Sequence, residues 1–592
     1  MRRSSFRSAL VGAGLLAALA GAQGAGAQEK TPTARGTGGA AATVDALGTK
    51  AAIDTLKAGG NAIDAAVAAA GVLGVTEPFS CGIGGGGFMV IRTADGEVTT
   101  IDGREKAPRA MEPNSFFEGG KPLAFDPARF SGLSAGVPGT PLTWARALKK
   151  YGTLSLKRAL KPGIRVATNG FTVDKTFFDS VEAVKTYFDD IPSTAAIYLD
   201  PDRSSKDVGT RIINPDMAKT YRLLGRKGVR KGFYSGPLAK AIARAATQPP
   251  TAADKDHTWR PGLMTTADLK RYTAPEREPT KSQYRGLTVF GMGPPSSGGT
   301  TVAEVLNILG GWTPAGASRE EILHRYLEAS RYTFADRNAY LADPAFFDVP
   351  VEGLTSMSFA DERRPLITDK AAKSAVAPGD PYDNQGSPSK AATNSATISH
   401  PRQSTTHLTV ADRLGNVVSY TFTIESTGGN GIVVPGYGFL LNNELTDFNF
   451  DSTTHPNRAD RSKRPRSSMA PTIIEKSGKP FLALGSPGGS TIPGTVLQTL
   501  VNRIDLREPL PHAIALPRAV ERNTSMTQAE QAFIDSREGA SLAAARGHKF
   551  APPATPGEIG AATAIEFRGK RFIAAAEPQR RGGGSAAVVS PR

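Results

Sequence analysis

The stretch Gln403-Ser404-Thr405-Thr406-His407-Leu408-Thr409-Val410 constrains this chain more than any other. It ends a polar segment and opens an apolar, β-branched run, so it reads as the start of a buried strand. A hydroxyl placed there can attack the peptide bond on its own N-terminal side. Cleavage between Ser404 and Thr405 would leave Thr405 with a free α-amine, joining nucleophile and base in one residue. Taken alone, the pattern has a plainer reading, since Ser-Thr-Thr at a strand start is ordinary β-propensity. The surrounding sequence favours the first reading. Gly415-Asn416 marks a hairpin turn, and Val417-Val418-Ser419-Tyr420-Thr421-Phe422-Thr423 reads as the return strand.

Composition narrows the class. With 592 residues, 39% hydrophobic and 64 glycines, the chain can bury a large core as a soluble globular protein. Its one cysteine, Cys81, permits no intrachain disulfide and reads as a small buried residue. The seven histidines have no zinc-site spacing, so no metal is expected. The net charge of +16 is scattered, without the aromatic-basic platform of a nucleic-acid module. Solubility and attraction of anionic substrates explain it instead. The densest basic cluster, Arg458, Arg461, Lys463, Arg464 and Arg466, reads as a solvated loop.

Residues 1–27 have the form of an export signal: Arg2, Arg3 and Arg7, then an apolar run, then Ala25-Gly26-Ala27 before Gln28. No other stretch approaches spanning length, so a periplasmic or extracellular protein without stable membrane insertion is expected. Residues 28–42, rich in Thr, Gly and Ala, read as a mobile arm. Thr43 to Val75 reads as two helices broken at Gly59-Gly60, and Gly82 to Arg92 as a glycine-rich turn feeding a strand. A helix-rich middle follows, then a polar linker over 370–404. Beyond Thr405, β-content rises until a helix expected over 492–504.

The motifs fall into a familiar order. They are Gly59-Gly60-Asn61-Ala62-Ile63-Asp64, Gly82-Ile83-Gly84-Gly85-Gly86-Gly87, Asp102-Gly103-Arg104-Glu105 and Pro294-Pro295-Ser296-Ser297-Gly298-Gly299. After the tetrad come Leu440-Leu441-Asn442-Asn443-Glu444-Leu445-Thr446-Asp447, Arg466-Ser467-Ser468-Met469 and Gly485-Ser486-Pro487-Gly488-Gly489-Ser490. From about residue 40 onward this set resembles the γ-glutamyltransferase (γ-glutamyl transpeptidase) family of N-terminal-nucleophile hydrolases. The resemblance implies an α/β (α+β) fold, a four-layer αββα sandwich. A large chain (43–404) and a small chain (405–592) cut from one precursor would form it as a heterodimer. It implies no cofactor, γ-glutamyl substrates such as glutathione, and water or an amino acid or dipeptide as acceptor.

Carried over residue by residue, the resemblance makes Thr405 the nucleophile and Thr423 its hydrogen-bonding partner. Gly488 and Gly489 become the oxyanion donors. Arg104, Ser467 and Ser468 would hold the substrate α-carboxylate, and Glu444 and Asp447 its α-ammonium. An α-amine of ordinary pKa, about 8, is in part free base at neutral pH, so no histidine base is needed and His407 is structural. There are two departures. Glu425 stands where the transpeptidases best known carry Asn, and it joins the substrate-binding set as an extra carboxylate. The segment between Asp447 and Arg464-Pro465 is also shorter than in lidded members, which implies an open site. Two other readings follow: a same-fold acylase for another acyl group, such as a glutaryl-cephalosporin acylase or a poly-γ-glutamate depolymerase, and a binding protein that has lost catalysis. The intact Thr405, Thr423, Gly488 and Gly489 argue against the last.

Overall fold

The computed structural model describes residues 30–388, 390, 404–553 and 558–591. The export signal over 1–27 and linker residues 391–403 lie outside the described residues. The strands are β1 (Thr33–Thr43), β2 (Gly86–Arg92), β3 (Val98–Asp102), β4 (Thr280–Tyr284), β5 (Leu287–Gly291) and β6 (Thr406–Asp412). They continue with β7 (Val417–Thr423), β8 (Thr472–Lys476), β9 (Lys479–Gly485), β10 (Thr563–Arg568), β11 (Arg571–Ala576) and β12 (Ser585–Pro591). They pair in the order β3-β2-β7-β6-β1-β11-β10-β9-β8-β5-β4, and β12 pairs β1 as well.

β1 is the hinge of this arrangement. Its second half pairs with β6, Gly39 opposite Asp412 through Thr43 opposite Leu408, while Thr33 to Gly36 pairs with β11. The strand turns between the two at Gly38 and Gly39, with φ of +86° and +138°, values that favour glycine. A Cβ on Gly36 would lie 2.1 Å from the Ser590 carbonyl oxygen of β12. The mobile arm expected over 28–42 is therefore corrected. From Thr33 onward it is a central strand, and its small residues serve close packing rather than disorder.

The strands divide their side chains between two cores, as period-2 alternation requires. Met89 and Ile91 of β2, with Leu408 and Val410 of β6, pack under helices α1 (Ala46–Lys57) and α2 (Ala62–Thr76). Phe88 and Val90 join Leu482 and Leu484 of β9 in the other core. Helices α3 (Gly298–Gly310), α4 (Arg319–Tyr340) and α5 (Ile492–Ile504) cover that core. The result is the four-layer αββα sandwich. α1 and α2 meet at the expected break: Gly59 has φ +90°, and Asn61 with Asp64 forms a capping box on α2. Such a cap contributes about 1 kcal/mol.

The linker is less solvated than expected. Gly379 N–H donates to Asp336 of α4 at 2.6 Å, Tyr340 donates to the Gly379 carbonyl at 2.6 Å, and Tyr382 is fully buried. Its first part is thus fixed to α4.

Candidate active site

Thr405 sits immediately before β6, and β7 returns alongside with Thr423 as its last residue. Three oxygens meet there. Thr405 Oγ1 is 2.5 Å from the Ser404 carbonyl oxygen and donates to Thr423 Oγ1 at 3.1 Å. Thr423 Oγ1 donates to the same carbonyl at 2.9 Å. The Glu425 N–H donates to Thr423 Oγ1 at 2.8 Å, which leaves the Thr423 proton directed at Ser404. Ser404 is held in register by its own N–H to the Glu425 carbonyl, 2.9 Å. The site is nearly closed to solvent, with Ser404 and Thr405 both buried.

A small pocket opens at Thr405. Arg104, Thr423, Glu425, Glu444, Asp447, Ser467, Ser468 and Gly489 line it with Met469, Ser490 and Ile492. Of the residues expected at the site, Ser404 and Gly488 are not in that lining; Gly488 stands in the turn from β9 toward α5. Gly488 and Gly489 have φ of +135° and +54°, and a Cβ on Gly488 would meet Thr491 Oγ1 at 2.7 Å. No residue of 448–463 lines the pocket. Phe448 and Phe450 pack instead against Met111, Phe116 and Leu445.

One end of the pocket is a dense ionic cluster. The Arg104 guanidinium donates to Glu444 Oε1, to Asp447 Oδ2 at 2.5 Å, and to the Pro465 and Arg466 carbonyls at 3.0 and 2.9 Å. Burial opposes its charge, but Glu444 and Asp447 outweigh that and hold its pKa above the ordinary value. Glu444 is pushed well up by burial, against the pull of Arg104. Glu425 is raised to about 7 by burial and by the Asp447 charge, although Ser426 and Asn443 donate to its carboxylate. It also has a left-handed backbone, φ +78°, rare for a residue other than glycine.

The raised Glu425 carboxyl has a thermodynamic consequence. The folded protein holds a proton that the unfolded chain releases near its ordinary value, about 4.3. Stability from this group is therefore full below that value and lost as pH climbs through about 7. Glu425→Gln removes the titration while keeping a side chain of similar size. Thermal melts at pH 5 and pH 8 should show a smaller fall for the variant than for the parent. Equal falls would mean that Glu425 ionises normally.

His407 is structural. Nδ1 meets Thr421 Oγ1 at 2.8 Å and Nε2 meets Thr409 Oγ1 at 3.1 Å, and burial lowers its pKa to about 3. Its ring fills the space where a Gly485 side chain would stand, 2.3 Å from a Cβ. The basic cluster is a correction. Lys463, Arg464 and Arg466 are buried, and only Arg458 and Arg461 reach solvent as a loop would. Arg464 lies 3.4 Å from Asp102 and donates to the Thr273 carbonyl at 2.7 Å. These cations brace the Arg104 segment, so they offer no polyanion surface.

Three residues at the site escaped the sequence reading. Arg337 of α4 donates to Ser468 Oγ at 2.6 Å and fixes that hydroxyl from behind. Glu105 is buried beside Arg104 and Glu444, its pKa raised to about 7, chiefly by burial. Arg581 donates to the Thr405 carbonyl at 2.7 Å. Only Glu105 carried a signal, its adjacency to Arg104.

Comparison with known proteins agrees with this geometry. The family model described as gamma-glutamyltranspeptidase matches residues 48–587. The glutathione hydrolase proenzyme of Bacillus subtilis (strain 168) is 37% identical, covering 89% of this chain and 87% of that one. The acylase ACY 1 proenzyme of Pseudomonas sp. (strain V22) is 36% identical, covering 86% of each. The crystal structure of a cephalosporin acylase from Bacillus halodurans superposes with a TM-score of 0.81 at 28% identity, over 95% of this chain and 97% of that one. The chain therefore belongs to the γ-glutamyltranspeptidase family.

Proposed function

We propose that this protein is an exported, self-processing γ-glutamyl hydrolase and transferase that cleaves glutathione and related γ-glutamyl amides. The observation that carries the reading is the triangle of Thr405, Thr423 and the Ser404 carbonyl. Thr405 Oγ1 attacks the Ser404 carbonyl carbon while Thr423 donates to its oxygen, as an oxyanion donor would. The C–N bond breaks, the hydroxyl proton ends on the Thr405 nitrogen, and water hydrolyses the ester. The products are residues 28–404 and 405–592, which stay together as a heterodimer. The export assignment rests on residues 1–27. Among the described residues no helix is long and apolar enough to cross a membrane.

In turnover the free α-amine of Thr405 takes the proton from Oγ1, which attacks the γ-carbonyl. The Gly488 and Gly489 N–H groups receive the oxyanion, and the α-ammonium protonates the departing amine. Water, an amino acid or a dipeptide then takes the acyl group.

Substrate preference follows from the ion cluster. In the free site Arg104 is already paired with Glu444 and Asp447. A γ-glutamyl group brings both an α-carboxylate and an α-ammonium. Its carboxylate takes Arg104, with Ser467 and Ser468, and its ammonium takes the released Glu444 and Asp447 together with Glu425. A glutaryl group brings only the carboxylate and leaves the buried Glu444 or the partly exposed Asp447 unpaired, for the buried group a penalty of about 3–5 kcal/mol. The acylase names among the relatives favour the second reading, hydrolysis of another acyl group. Assay of γ-glutamyl and glutaryl anilides side by side separates the two. The γ-glutamyl compound is expected to have the higher kcat/KM by at least ~10²-fold. Equal or reversed preference would overturn this reading in favour of the acylase.

A further inference from the structure

Arg581 has no part in the steps above, yet it is set against the nucleophile. It lies in the short turn Arg580–Gly582 between β11 and β12, with φ +55°, a left-handed conformation unfavourable for a long side chain. From there Nη1 donates to the Thr405 carbonyl at 2.7 Å. Nη2 donates to Ser404 Oγ at 3.1 Å and to Ser80 Oγ at 2.9 Å. These contacts flank the Ser404–Thr405 peptide nitrogen. The Thr405 nitrogen and carbonyl oxygen belong to one residue, so the 2.7 Å contact holds that nitrogen within about 6 Å of Nη1. When the bond is cut, the nitrogen becomes the α-amine.

A fixed cation at that range disfavours a second positive charge, by about one to two pH units at an intermediate dielectric. We propose that Arg581 is a positioning residue that keeps the Thr405 α-amine unprotonated near neutral pH, and so available as the general base. The inference rests on the reading of Thr405 as an N-terminal nucleophile.

The neighbouring carboxylates offset the Arg581 charge only in part. Glu77 faces it from the end of α2, and burial pushes that carboxyl up to about 8, so it is largely neutral at pH 7. The Cys81 thiol, also raised by burial, is neutral as well. Glu558 accepts the Arg581 backbone N–H at 2.6 Å, and Lys30, Asp45 and Asp174 stand around Glu77. On the pocket side are Glu425, Glu444, Asp447 and Arg104. Any negative charge on those groups favours a protonated amine, so Arg581 works against it.

Two measurements test this. In the processed wild-type protein, the pH dependence of acylation of the small-chain N-terminus, followed by mass spectrometry, should give an amine pKa at least one unit below the ordinary value of about 8. In Arg581→Gln, the acidic limb of kcat/KM for a γ-glutamyl anilide should move up by at least one pH unit, about a ten-fold loss at pH 6. Arg581→Lys should keep the limb near its wild-type position, and Glu77→Gln should leave it unmoved. A wild-type amine of pKa about 8 or above overturns the inference even if Arg581→Gln fails to fold. An unshifted limb in a processed Arg581→Gln overturns it too. A small chain that begins elsewhere than Thr405 overturns the proposed function with it, whereas Thr405 at the N-terminus with an ordinary amine overturns this inference alone.

Discussion

Thr405→Ala is expected to yield one uncut chain with no measurable turnover, because a single hydroxyl serves both processing and acyl transfer. The wild-type protein should run on a denaturing gel as two bands, and the smaller should begin at Thr405. Removing the nucleophile of such a unit costs on the order of 10⁴-fold or more in kcat. Thr405→Ser keeps the hydroxyl and should still process, though more slowly, since serine lacks the methyl group that restricts χ1. Thr423→Ala should slow processing by roughly 10²- to 10³-fold, the usual loss when one oxyanion donor is removed. Its hydroxyl is the donor aimed at the Ser404 oxygen. An uncut wild-type chain, or a small chain beginning at another residue, would end the self-processing reading.

What the sequence made legible was what local pattern encodes. β6, β7 and the hairpin between them announce themselves by β-branched runs around Gly415-Asn416. α5 runs from Ile492 to Ile504, the bounds expected for it. The candidate site residues were read from their motifs, and all but Ser404 and Gly488 line one pocket. What failed was long-range. β1 carries no hydrophobic alternation, because Gly36 must pass within contact of Ser590 and the strand must turn at Gly38-Gly39. Its partners lie hundreds of residues away, so composition alone gave a mobile arm. Arg464 and Arg466 read as solvated because charge ordinarily is. Their partners are Asp102 and main-chain carbonyls that only the fold assembles. Arg581 stands 176 residues from Thr405 and belongs to none of the recognised motifs. A side chain that acts through position, rather than through a motif, leaves no local trace.

Arg104→Ala is expected to spare processing and to abolish most donor binding. The Thr405, Thr423 and Ser404 triangle forms without Arg104, so the cut at Thr405 should still occur. Donor binding is another matter. Arg104 is buried, and its loss strands the buried Glu444 and the partly exposed Asp447, with the buried Glu105 close by. Breaking a buried pair from one side costs about 3–5 kcal/mol, which predicts a rise in KM of roughly 10²- to 10³-fold for a γ-glutamyl anilide. Lysine should recover only part of this, because an ammonium supplies the charge but not the planar fork that reaches two carboxylates at once. Stability should change with pH in a definite direction. Glu105 and Glu444 already have raised pKa values, and without the guanidinium they rise further. The folded variant then holds protons that the unfolded chain releases. Its stability is retained at low pH and lost as pH rises through the ordinary carboxylate range and beyond. Melting temperatures for Arg104→Ala should therefore fall between pH 5 and pH 8 more steeply than for the wild type. Wild-type KM together with a wild-type melting profile would place the carboxylate site somewhere other than Arg104. A steep melting profile with unchanged KM would leave Arg104 as a purely structural counter-ion to Glu444 and Asp447.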